Sequence, residues 1–436
     1  MGTLSDSFKT PEIKKKLLFT FLILSVLSLL TIVPIPGLNH AVAVAKIADW
    51  GDMGRIINIL SGRALANASI ISLGIYPFLV ASIVMQFVVL IVPKLRSLSQ
   101  MGDEGTKFVT KINRIAALAA AGVYAVLFCV GMRGAVTTKM NFWIGIVLCG
   151  VSVAIGSALC GWCVELLNNK GLGNGLTIII VAGVVRSIPE EIYGLYHQST
   201  VLGRLPAIFL VGMGCLFYLG MLFLIILLNM GEKKLRIIFS KRTVGMKQYG
   251  MQNQVLPFKV TQAGTTPVIY TMVILLIPSA IIAMVVPGTE SAVAQWFKDF
   301  VEKVAFLPLF IVFLVLFTNL FSLLQFNPFD ISKQIKENGG YIQGLRPGKP
   351  TAQYLMNVYR NLNIVDCVYL IVVCIVPMIL NFFPAFRGVC LGGIGLVLVG
   401  GGFIEMKAIL DNSIKTEQEK AKAAGKDKKR KNYNKK

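Results

Sequence analysis

The sequence predicts an all-α integral membrane protein with ten transmembrane helices. Three observations carry that reading. Apolar runs near the length of a bilayer core recur ten times. Only 15% of the 436 residues are charged, against roughly 25% in a soluble domain. The basic residues are spread unevenly between alternate connections. In hydrocarbon every backbone N–H and C=O must find a partner inside its own segment, so apolar runs of this length are helices.

The runs fall near 17–33, 73–92, 115–132, 142–166, 175–188, 205–230, 264–286, 304–326, 364–384 and 389–409. The first follows Lys14-Lys15-Lys16, the layout of a signal peptide. It is long for a signal-peptide apolar region, however, and it ends in Pro34-Ile35-Pro36-Gly37 with no small-residue cleavage site. It is read as a retained span. Ten spans put both termini on one side. With the N-terminus inside, the inside segments hold 33 of the 43 Lys/Arg and the outside segments 10. The positive-inside rule therefore makes both termini cytoplasmic.

This topology organises the rest of the chain. Residues 1–16 form a cytoplasmic N-terminus, 17–188 a first five-helix half, 189–410 a second half, and 411–436 a basic cytoplasmic tail. An odd-numbered half that is duplicated inserts its second copy upside down, the plan of inverted-repeat membrane proteins. A local match supports it. Gly74-Ile75-Tyr76-Pro77 and Gly264-Thr265-Thr266-Pro267 both place Gly-x-x-Pro at the start of the second helix of a half. The long loops 231–262 and 327–362 form a basic cytoplasmic platform, either a solvated surface near anionic lipid or a docking site for a large partner. Segment 55–72 carries Ser61, Gly62, Arg63, Asn67 and Ser69 and is too polar for a lipid-facing span. It is an outside loop or a short re-entrant helix lying in a cavity.

Several function classes lose support. Charges in mid-membrane mark ion pathways and proton relays, and here Glu165, Asp366 and Glu405 fall toward span ends. No nucleophile–base set, HExxH or P-loop stands out, so no enzyme activity and no cofactor is expected. The eight cysteines lie in or beside apolar runs and read as small apolar residues. Cys160-x-x-Cys163 has metal-site spacing but no second pair, so no metal is expected.

Specific stretches resemble the SecY family. Gly339-Gly340-Tyr341-Ile342-Gln343-Gly344-Leu345-Arg346-Pro347-Gly348-Lys349-Pro350-Thr351-Ala352 resembles the family's loop between spans eight and nine and follows Phe326-Asn327-Pro328-Phe329-Asp330. Lys170-Gly171-Leu172-Gly173-Asn174-Gly175, with Trp162 and Glu165 upstream, is similar to the turn into span five. Leu256-Pro257-Phe258-Lys259-Val260, Leu73-Gly74-Ile75-Tyr76-Pro77 and Pro34-Ile35-Pro36-Gly37 are similar to the family's stretches at spans seven, two and one. The matches occur in family order along nearly the whole chain.

The resemblance implies two inverted five-helix halves around a central pore that conducts unfolded secretory proteins. It implies a pore ring of Leu79, Ile83, Ile180, Val184, Ile269 and Leu398, all aliphatic. A plug at 55–72, with Gly62, Ala64, Leu65 and Asn67, would close it from outside. A lateral gate between spans two and seven would use Pro77, Gln86, Thr266 and Pro267. Arg346, Lys349, Lys241 and Arg242 would dock the SecA motor or the ribosome. The implied partners are SecE and SecG, SecA, the ribosome, signal peptides and nascent chains, and membrane lipids. The implied site is a bacterial plasma (inner) membrane, where the lack of a transit peptide also points. Departures stand at Asp103-Glu104-Gly105-Thr106-Lys107, at Trp162-Cys163-Val164-Glu165 and at Gly392-Gly393-Ile394-Gly395. They leave open an accessory paralogue with narrower substrates. A secondary solute transporter and a membrane scaffold are the alternatives from other classes.

Overall fold

The computed structural model describes residues 11–48, 54, 57–58, 60–99, 103–136, 141–199, 204–239, 242–244, 247–249, 253–285, 306–325, 328–337, 339–380, 395–411 and 414. Among them, ten helices follow the apolar runs. They are α1 Pro11–Leu30, α2 Tyr76–Ile91, α3 Asp103–Gly131, α4 Phe142–Lys170, α5 Gly175–Ser199, α6 Arg204–Asn229, α7 Thr266–Val285, α8 Phe306–Gln325, α9 Lys349–Leu380 and α10 at 395–411. Stretches in five of them (α3, α4, α6, α8 and α9) are long and apolar enough alone to cross a bilayer. The solvent of these helices is lipid. On α6, Leu216 is 74% exposed and Phe209 and Phe223 68% each, an apolar stripe that water would penalise and hydrocarbon does not.

The described residues fall into two compact units. One draws on the stretches Met1–Pro189, Leu276–Glu302 and Gly402–Lys436, the other on Glu190–Leu275 and Lys303–Gly401. In the first unit, α2 and α4 both pack on α3. Its core joins Ile23 and Leu27 of α1, Cys160 and Leu167 of α4 and Ile178 of α5 to Ala64 and Ile71 of the connection between α1 and α2. That connection is therefore part of the core.

The second unit departs from the sequence reading. The two basic segments are not plain loops. Strand β1 (Glu232–Phe239) pairs antiparallel with β2 (Asn253–Lys259) and with β3 (Gly340–Ile342), joining both segments in one sheet. The alternation along β1 explains it. Leu235 and Ile237 are buried while Lys234 and Arg236 are exposed, as a half-buried strand requires. The buried face packs on Ile335, of the amphipathic helix Pro328–Glu337, and on Leu355 of α9. A second hairpin pairs Arg242–Val244 with Lys247–Tyr249.

Helix α9 also begins well before the expected start of its span at 364. Pro350, the second residue of α9, needs no N–H partner in a first turn. The polar turns ahead of the apolar run then continue the same helix.

Candidate functional site

The segment before α2 is mostly turns. Residues 57–58 and 60 are helical, and 61–75 form a chain of turns with one bridging residue, Ser69. Of the four expected plug positions, Ala64 and Leu65 are fully buried, Gly62 is partly exposed and Asn67 is exposed. None of these four lies in a regular helix; the described helical residues of the segment are 57–58 and 60. Side chains here satisfy the backbone instead: Asn58 Oδ1 accepts from Ala66 N (2.9 Å) and Ser61 Oγ from Leu65 N (3.2 Å). Farther along, the segment pairs with the chain just past α1. Ile35 N donates to Ala68 O (3.1 Å) and Ile70 N to Val33 O (3.0 Å). At the other end a Cβ added at Gly62 would lie 3.5 Å from Gly183 Cα on α5. The segment thus reaches the helix that carries two of the expected ring residues, beside Val184.

Those ring residues sit as their spacing requires. Leu79 and Ile83 share one face of α2, and Ile180 and Val184 one face of α5, four residues apart in each case. All four are buried. In the second unit Ile269 on α7 and Leu398 on α10 are buried as well. Of the gate positions, Pro77 and Pro267 are buried at the second residue of α2 and α7, Thr266 is half-buried and Gln86 is exposed. The structure gives each unit's positions separately.

The approach to α7 is held by polar groups that the sequence reading did not assign to it. Asp366, expected near the start of its span, is fully buried midway along α9, and its Oδ2 accepts from Ala263 N (3.1 Å). Thr261 Oγ1 donates to Asn229 Oδ1 (2.9 Å), and Asn229 Nδ2 donates to Tyr369 Oη (3.1 Å). Ser322 Oγ donates to Gln262 Oε1 (3.1 Å). Residues 261–263 are thus pinned to α6, α8 and α9. In the first unit Arg114 of α3 grips Glu165 of α4 through two hydrogen bonds, one from Nε at 3.0 Å. Glu165 is thereby paired where burial would otherwise penalise its charge. A charge in or near an apolar run was the signal available in each case, and its partner was not.

The expected docking residues are partly described. Arg346 is exposed in the turn after β3, and its carbonyl accepts from Thr351 Oγ1 (2.8 Å). Lys349 is exposed at the first residue of α9. Arg242 opens the second hairpin, and Lys241 lies outside the described residues. Among the described residues no group of three or more His, Cys, Asp or Glu is placed to hold a metal ion.

The SecY family profile matches residues 69–406. The chain belongs to the SecY family. The protein translocase subunit SecY of Thermotoga maritima is 31% identical over 388 residues, 86% of this chain and 87% of the relative. Among solved structures, a SecY channel whose plug domain stabilises the closed state and maintains a membrane seal has the same fold. It gives a TM-score of 0.63 at 19% identity, with 92% of each chain covered. The Sec61 channel of a canine ribosome–channel complex from the endoplasmic reticulum gives 0.59 at 18% identity, again with 92% of each covered. The chain is a multi-pass membrane protein of this channel fold.

Proposed function

We propose that this chain is the central pore-forming subunit of a Sec translocon, which conducts unfolded secretory proteins across the membrane and releases transmembrane segments sideways into lipid. The observation that carries the reading is the buried segment before α2, seated on α5 beside Val184 in a chain of the SecY family. In this reading residues 55–72 are the plug. Leu79, Ile83, Ile180, Val184, Ile269 and Leu398 form the ring. An aliphatic constriction excludes water and ions by dewetting and deforms around a passing chain. Pro77, Gln86, Thr266 and Pro267 belong to the lateral gate. A signal segment leaves there because about 20 apolar residues exchange an aqueous cavity for hydrocarbon.

No catalytic chemistry is required of the chain itself. The energy comes from a partner docked on the exposed basic side chains around the three-stranded sheet, with Arg346 and Lys349 at its edge. SecA or the ribosome fits that surface, since ribosomal RNA is bound by phosphate neutralisation. The canine Sec61 relative is seen in complex with a ribosome. SecE and SecG complete the complex, which sits in a bacterial plasma membrane with both termini cytoplasmic.

The test is crosslinking to a stalled secretory chain. Single cysteines are placed at Ile83 and Ile180 after the native ones are replaced. A crosslink that forms only with an export-competent substrate is the expected result. Crosslinks at the buried control Phe310 and none at the ring would overturn the ring. An intact complex that crosslinks nowhere would overturn the channel.

A further inference from the structure

Arg186 stands on α5 two residues beyond Val184, near the end of the apolar run 175–188. Its half-buried guanidinium ties three segments together. Nη1 donates to the Gly62 carbonyl (3.1 Å) and to Thr31 Oγ1 (3.2 Å), and Nη2 donates to Ser28 Oγ. Ser28 and Thr31 lie at the end of α1, and Gly62 is the part of the plug segment nearest α5. A planar fork of five N–H donors suits such a bridge, and a lysine ammonium does not reproduce it. Gly62 and Arg63 are both left-handed (φ 63° and 71°), a turn that presents the Gly62 carbonyl to this fork and that a residue with a side chain adopts only at a cost.

The contact is built to be undone. All three acceptors are neutral, so water replaces the guanidinium's donors when the segments part, and no buried carboxylate is left behind. Residues 67–70 are held differently. Backbone pairs tie them to the chain beyond α1, Asn67 Nδ2 donates to Thr31 O (3.3 Å), and the His40 ring lies 3.1 Å from Asn67 O.

We propose that Arg186 is the latch of the plug, a positioning residue that holds residues 61–63 against α5 and the end of α1 while the channel is closed and releases them on opening. The inference rests on the reading of the chain as a plugged channel. Residues 67–70 act as the hinge, and opening swings the 61–63 turn away from α5.

The test uses the whole translocon complex in proteoliposomes, with halide leak through the resting channel and translocation of a signal-bearing substrate as readouts. Arg186→Met is expected to raise resting leak about five- to ten-fold, the scale of one or two net hydrogen bonds, while translocation persists. Arg186→Lys falls between Met and wild type. The double variant Ser28→Ala/Thr31→Val leaves the arginine in place and raises leak less. In a channel lacking the 61–66 turn, Arg186→Met adds nothing. Unchanged leak in both Arg186→Met and the double variant overturns the latch, as does an equal increase without the turn. If the wild-type complex translocates nothing, the channel reading itself fails. If it translocates while the latch variants stay sealed, the latch alone does.

Discussion

Gly74 and Gly264 stand at matching places, each two residues before a helix whose second residue is proline. Both are left-handed, with φ of 51° and 64°. Their surroundings differ. A Cβ at Gly74 would lie 2.5 Å from Ser61 Cα, against the turn that carries Gly62, while a Cβ at Gly264 would meet nothing within 4 Å. The segment before α2 is packed at many points, with Ile57, Ala64, Leu65, Ser69, Ser72 and Leu73 fully buried. The segment before α7 comes off a basic sheet with an exposed edge and is pinned at 261–263 by side-chain hydrogen bonds. One local turn signature therefore serves two purposes: in one place it seats a packed segment, in the other it leads a surface sheet into a helix.

Substitutions at these positions sharpen or break the contrast. The largest effect is expected from Gly74→Ala, which combines a left-handed backbone with a clash against backbone atoms. We expect a loss of about 3 kcal/mol or more, the sum of a chirality cost and overpacking. Thermal unfolding of the purified complex checks this, and a shift no larger than that of Gly264→Ala would erase the contrast. Next is Asp366→Ala, which orphans the Ala263 N–H inside the protein and is expected to cost about 1–3 kcal/mol. Asp366→Asn keeps an acceptor oxygen and should unfold close to wild type. If both variants behave alike, the hydrogen bond to Ala263 is not what pins that segment. The smallest effect is expected from Gly264→Ala, about 1 kcal/mol from the backbone conformation alone. A loss as large as that of Gly74→Ala would mean that this segment, too, is packed.

The membrane helices were legible because burial in lipid leaves a long, simple signal. Apolar length locates each helix. The six expected ring positions came from family motifs, and each lies buried on a helix where its span was expected. Strand β1 was not. Its alternation of Leu235 and Ile237 with Lys234 and Arg236 runs over a few residues, within a stretch whose basic charge drew the reading toward a loop. Its partner β3 lies far along the chain, and no local pattern announces such a pairing. The helical start of α9 was hidden for a related reason: the polar turns of a helix outside the membrane have the same composition as a loop.

Arg186, Asp366 and Glu165 mark the boundary between the two kinds of information. By sequence alone each is a charge at an awkward position, and sequence determines that burying it unpaired would be costly. It does not name the partner, because Gly62, Ala263 and Arg114 are distant along the chain and meet these residues only through packing. The same holds for the two glycines. Gly-x-x-Pro permits a left-handed residue followed by a helix start, since local sterics allow both. Whether a second segment then closes on that glycine is decided by the tertiary structure, because close approach depends on what the rest of the chain brings there.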